Sequence, residues 1–225
     1  MKAVSRLSRT RVAEAPFAVK APVDIVLEHL RQVGPAVASL RNESSRLAEW
    51  GEELARRLLA GNRLVTAGSA GSAAEVQQFT AELLGRHSGE RRPFSVIALR
   101  GAPPAAGAGT AGLIEIAQGT AEEAASRVAA HIRADDVLLV VSASGHRHAL
   151  LDAAAAAKAT GAVVWAVTGR APNPLAQSAD EAICINALKP QVREAQLIAL
   201  QAMSECVSSA LRTHAARPEA FPGGV

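Results

Sequence analysis

Val137-Leu138-Leu139-Val140-Val141 is an unbroken apolar run that ends in Ser142-Ala143-Ser144-Gly145, after which a helical pattern begins near Arg147. Such a run suits a strand buried on both faces, and strands of that kind belong to parallel sheets covered by helices. The unit recurs. Arg63-Leu64-Val65-Thr66-Ala67 enters Gly68-Ser69-Ala70-Gly71-Ser72-Ala73, and a helix follows from Ser72 to Gly85 with Val76, Phe79, Leu83 and Leu84 at helical spacing. Ala162 to Val167 is another apolar run, ending at Thr168-Gly169. Phe94 to Leu99 and Ala182 to Ile185 are also strand-like, and Leu113 to Ala117 is a further short candidate. Strands alternating with helices predict an α/β fold: a doubly wound, mostly parallel, five-stranded sheet.

Helical patterns extend the chain at both ends. From Val23 to Ala60, Ile25, Val26, Leu30 and Val33 form one apolar stripe, and Leu47, Trp50, Leu54, Leu58 and Leu59 a second. Gly34-Pro35 is expected to break or kink this segment. Thr120 with Glu123 makes a capping box for a helix start. A short helix is expected over Pro174 to Ala179 and a long one from Gln191 to His214. The expected organisation is therefore a flexible basic N-terminus over 1–21, one domain over 22–214 and a flexible tail over 215–225. Residues 100–112, rich in Gly, Ala and Pro, suit a long loop.

Composition narrows the function classes. Hydrophobic residues are 49% of the 225, enough for one sizeable core, but aromatics are only 3%. Lys2, Arg6, Arg9, Arg11 and Lys20 make the N-terminus basic, which suits a solvated end or a nucleic-acid arm. With so few aromatics no base-stacking platform is visible, so nucleic acid is not an expected partner. Cys184 and Cys206 lack CxxC spacing, and no apolar leader or membrane-length run is present. Reduced, packed thiols in a cytoplasmic protein are expected.

Ligands of open α/β sheets bind at the carboxyl ends of the strands, where both small-residue loops fall. Small residues let the backbone approach a ligand, and a following helix N-terminus favours an anion. Ser69, Gly71 and Ser72 in the first loop, and Ser142, Ser144 and Gly145 in the second, are the candidate phosphate holders, with Thr168 at the third strand end. A plain βα turn capped by serine is the alternative for each loop. Finding the device twice, each time after a parallel strand, favours the anion site.

The run from Gly68 to Arg86, including Gln77-Gln78-Phe79-Thr80-Ala81-Glu82, resembles the sugar isomerase (SIS) domain of phosphoheptose isomerases. So do Ser142-Ala143-Ser144-Gly145, Val167-Thr168-Gly169-Arg170 and Glu194-Ala195-Gln196, in order and spacing over residues 23–212. The resemblance implies a sugar phosphate as ligand, sedoheptulose 7-phosphate in particular, and a homotetramer or homodimer with interfacial sites. It implies that Glu82 is the base moving a proton between C1 and C2. Without it, Glu82 would be a surface glutamate on an amphipathic helix.

The sequence also departs from that pattern. Gln78 stands where a histidine metal ligand is usual, and Arg193 and Gln201 replace the glutamine and histidine of the terminal helix. Pro190 replaces an aspartate, and His146 and Arg147 replace an asparagine and a serine of the second loop. Gln is a poor zinc ligand beside His, so no metal and no cofactor is expected. Gln201 can donate a hydrogen bond to a substrate oxygen but cannot deliver a proton as His can. Arg147 and Arg193 are candidate phosphate contacts; His146, Arg147 and His148 could equally be a solvated helix start. Two functions follow. One is a metal-independent aldose–ketose isomerase using Glu82 and Gln201. The other is a non-catalytic sugar-phosphate sensor or protein-binding adaptor.

Overall fold

In the computed structural model, which describes residues 21–68, 72–85, 96–100, 113–115 and 121–215, all strand pairs are parallel. Strands β1 (Leu64–Gly68), β2 (Val96–Arg100), β3 (Leu113–Glu115), β4 (Val137–Ser142), β5 (Val163–Thr168) and β6 (Glu181–Cys184) pair in the order β3-β2-β1-β4-β5-β6. The five-stranded parallel sheet expected from the sequence is present, extended at one edge by the three residues of β3. All but residues 21 and 215 of the expected termini, 1–21 and 215–225, lie outside the described residues, as do most of the loop 100–112 and Thr120.

Alternation along β4 divides the core in two. Val137, Leu139 and Val141 face α2 (Ser44–Leu59), α3 (Ala73–Gly85) and α7 (Lys189–Ala215), joined by the end of α1 (Pro22–Asn42). Leu138 and Val140 face α4 (Ala121–His131), α5 (His148–Ala159) and α6 (Pro174–Ser178). Both faces of the strand are buried, which is why the run is apolar throughout. Aromatic packing is concentrated at one place: Trp50 and Trp165 stack with centroids 4.8 Å apart and 5° between planes. Trp50 Nε1 donates to Glu181 Oε2 at 2.9 Å, so the ring also ties α2 to the edge strand β6.

The N-terminal helical segment departs from expectation. α1 runs through Gly34 and Pro35 to Asn42, and the break falls at Glu43 instead (φ −102, ψ 8). Gly34 and Pro35 are exposed, while Ala36 and Leu40 beyond them are buried in the core. Proline removes a single backbone bond on the outer surface, and burial of the next turn carries the helix past it. α1 then lies on α7, joined by His29 to Glu194 at 3.1 Å and by Gln191 Nε2 donating to Gln32 Oε1 at 3.3 Å.

Candidate functional site

The sheet order reverses between β1 and β4, and the crevice of an open α/β sheet forms at that point. The two small-residue loops leave these two neighbouring strands. Gly68 is level with Val141, and Ser142 is level with Thr168 on β5. The strand ends that the sequence nominated therefore stand side by side. Ser69 and Gly71 lie outside the described residues.

The loop after β4 is held from within. Gly145 turns at φ +66, and its N–H donates to Ser142 Oγ at 3.3 Å. Thr168 Oγ1 donates to the Ser142 carbonyl at 2.9 Å. Asn173 closes the arrangement: its Oδ1 accepts from Ala176 N at 3.0 Å, capping α6, and its Nδ2 donates to the Gly169 and Arg170 carbonyls, each at 3.3 Å. Ser142 and Thr168 are fully buried. Their hydroxyls shape the loop, whereas half-exposed Ser144 and exposed Arg147 stand at its mouth. Ser144 Oγ accepts from His146 N at 3.5 Å, and the Ser144 carbonyl meets His146 Nδ1. Arg147 occupies the position before α5, with His148 as its first residue. Asn173 is not among the residues nominated from sequence, although Asn-Pro at a helix start is a readable cap.

The first loop is anchored differently. Ser72 Oγ donates to Gln196 Oε1 at 3.0 Å, and Gln196 Nε2 donates to the Val167 carbonyl at 3.0 Å. Both side chains are fully buried. One chain of bonds thus fixes the start of α3 to α7 and to β5. The structure spends the Ser72 hydroxyl on this brace, and Gln196 is the second contributor not nominated from sequence.

Glu82 lies half-buried on α3 and accepts from Gln78 Nε2 at 3.1 Å. The pair sits at i, i+4 on one helix face. Arg193 and Gln201 lie exposed on α7, two helical turns apart. No side-chain hydrogen bond or ion pair links either to another described residue. The structure thus brings the ends of β1 and β4 together at the switch point and Gln78 to Glu82, but it does not bond Gln201 or Arg193 to Glu82 within one chain. A cavity of about 370 Å³ lies elsewhere, between α2 and the end of α7, lined by Glu52, Cys206 and His214 among others, and holds none of the nominated residues. Burial pushes the Cys184 and Cys206 thiols above their ordinary range, so both are protonated at neutral pH.

A family model for the SIS domain matches residues 28–169 of the chain. A phosphoheptose isomerase of Streptomyces coelicolor is 41% identical over 197 residues, covering 85% of this chain and 82% of that protein. The chain belongs to the SIS domain family. A second phosphoheptose isomerase, from Thiobacillus denitrificans, is 31% identical over 196 residues, covering 81% of this chain and 96% of its own. Among solved structures, a phosphoheptose isomerase from Francisella tularensis superposes with a TM-score of 0.66 at 18% identity, over 84% of this chain and 100% of that one. One from Neisseria gonorrhoeae gives 0.67 at 20% identity, over the same shares. Both share the fold of this SIS domain.

The metal implied by the resemblance does not fit this SIS chain. At the expected ligand positions stand one carboxylate, two amides and a guanidinium. Gln78 turns its amide N–H, a donor and not a ligand, toward Glu82. Arg193 is a permanent cation and would repel a second one. Among the described residues no three His, Cys, Asp or Glu side chains gather at metal-binding distance.

Proposed function

We propose that this SIS domain is a sugar-phosphate aldose–ketose isomerase of the phosphoheptose isomerase type that works without a metal. The observation that carries the proposal is Glu82. The sequence keeps a carboxylate on the helix that opens from the switch-point loop, and the fold holds it with the Gln78 amide. Isomerisation needs one base to take a proton from one carbon and return it to the neighbour through an enediol, and a single positioned carboxylate can do both. Gln201 would donate its amide N–H to the carbonyl oxygen. Ser144, Arg147 and Arg193, with backbone N–H groups of the loops containing Ser69, Gly71 and Gly145, would hold the phosphate.

Sites between subunits would bring Gln201 and Arg193 to Glu82, since one chain does not bond them. The exposed apolar residues support assembly. Val23, Val26, Leu27 and Leu30 on α1 are 43–62% exposed, and so are Leu188 (73%), just before α7, and Ile198 (42%) on it. A second copy covering this face would give the homodimer or homotetramer. Among the described residues no helix is long and apolar enough to cross a membrane, and a cytoplasmic enzyme is the setting we propose.

The test is turnover of sedoheptulose 7-phosphate before and after EDTA. Turnover unchanged by EDTA and reduced about 10²–10⁴-fold in Glu82→Gln is expected. Gln78, Arg193 and Gln201 favour a second reading, a sensor or adaptor that binds the sugar phosphate without converting it. Tight binding with no turnover of any ketose phosphate would establish that reading instead.

A further inference from the structure

Among the described strands β6 stands last, beyond β5, at one edge of the sheet. The chain running through and past it, Ala182-Ile183-Cys184-Ile185-Asn186-Ala187-Leu188, carries no charge, no proline and no glycine. A run of that kind on a sheet edge is a template for a further strand. Its outward N–H and C=O groups can pair with another chain, and no charged side chain on it opposes the approach.

Side chains from the corner between α1 and α2 stand against this edge instead. Ile185 N–H donates to the Thr168 carbonyl of β5 at 2.9 Å. The alternate residues Ala182, Cys184 and Asn186 are met from the helices. Arg46 Nη1 donates to the Ala182 carbonyl at 2.8 Å, and Ser39 Oγ donates to the Cys184 carbonyl at 3.4 Å. Asn186 N–H donates to Ser39 Oγ at 3.0 Å. The Arg46 guanidinium also pairs at 3.2 Å with Glu43, the residue at which the helix breaks. Ser39 lies about one turn before that break and Arg46 about one turn after it. The break therefore sets one donor from each helix on the same strand.

We propose that Ser39 and Arg46 guard the β6 edge, and that the partner they exclude is the β6 edge of a second copy of this chain. Two copies would pair antiparallel about a two-fold axis, so that each strand meets itself. Like charges directly opposite each other disfavour strand pairs, and the uncharged run from Ala182 to Leu188 places none there. The guard occupies the carbonyls that this pairing needs. It involves neither Glu82 nor the strand-end loops, so it stands apart from the sugar-phosphate reading.

Ser39→Ala combined with Arg46→Met removes both donors and leaves a long side chain at 46. Sedimentation velocity of the full chain over a concentration series is expected to show species larger than those of the wild type, growing with concentration. Loss of stability alone would also give larger species. Adding Ala182→Pro separates the two causes, because proline is tolerated on an edge strand and removes an N–H that edge pairing uses. The triple variant is expected to sediment as the wild type does. Larger species that persist in it, or a double variant that sediments as the wild type, overturn the proposal. Should the triple variant not fold, amide hydrogen exchange of the double variant decides. Slower exchange at Ala182 and Cys184 in the larger species is expected, and faster exchange there overturns the proposal. If the pair of substitutions does not fold, Arg46→Met alone takes its place throughout.

Discussion

Gly145 is the residue on which the loop after β4 turns. Its φ of +66 is a region that L side chains rarely adopt, and an added Cβ would lie 2.1 Å from Asn173 Oδ1. Gly145→Ala must therefore displace Asn173, which caps α6 and holds the Gly169 and Arg170 carbonyls. A loss of about 2–4 kcal/mol is expected, visible as a lower Tm in a thermal scan together with weaker sugar-phosphate binding. Unchanged Tm and affinity would show that the loop is not braced as described. At this scale the sequence revealed residue types but not their partners. Ser72 was legible as a small hydroxyl at a helix start. That its hydroxyl belongs to Gln196, 124 positions away, was not, because nothing local encodes a long-range bond. Glu82 was legible through the motif around it, and its bond to Gln78 through their i, i+4 spacing.

Among elements, α2 and α7 approach each other closely at Gly51. A Cβ added at Gly51 would lie 2.3 Å from the Cys206 Cβ and 3.2 Å from the Cys206 and Val207 backbone. Neither helix can move without disturbing the Trp50–Trp165 stack or the core around Met203 and Val207. Gly51→Ala is expected to cost about 1–3 kcal/mol through overpacking, lowering the urea midpoint with an unchanged slope. An unshifted midpoint would mean that the two helices separate freely. The strands and helices themselves were legible from periodicity, since both faces of each central strand are buried and leave an apolar run. The helix break was not. Gly34-Pro35 is a strong local breaker, but packing of Ala36 and Leu40 overrides it, and tertiary burial is invisible to a local pattern.

Among the described residues, the ends of β1 and β4, from which the two loops leave, stand where the order of the six strands reverses. That placement needed the strand order, which the sequence does not contain, whereas the alternation that implies a parallel sheet was plain from the run of motifs. On the proposed reading, a second copy would complete the set around Glu82. Gln201 and Arg193 lie exposed on α7, and the apolar face of α1 and Ile198 of α7 are exposed as well. If a second copy covers that face, Leu30→Glu should shift the protein toward monomers in sedimentation velocity and lower turnover with it. An unchanged oligomer would place the interface elsewhere. On the proposed function, isomerisation depends on Glu82 and not on a metal, and the decisive measurement is the rate of sedoheptulose 7-phosphate turnover in metal-stripped wild type and in metal-stripped Glu82→Gln. Full activity is expected in the first and a loss of about 10²–10⁴-fold in the second; activity that vanishes on stripping and returns with a divalent cation would show that a metal carries the reaction.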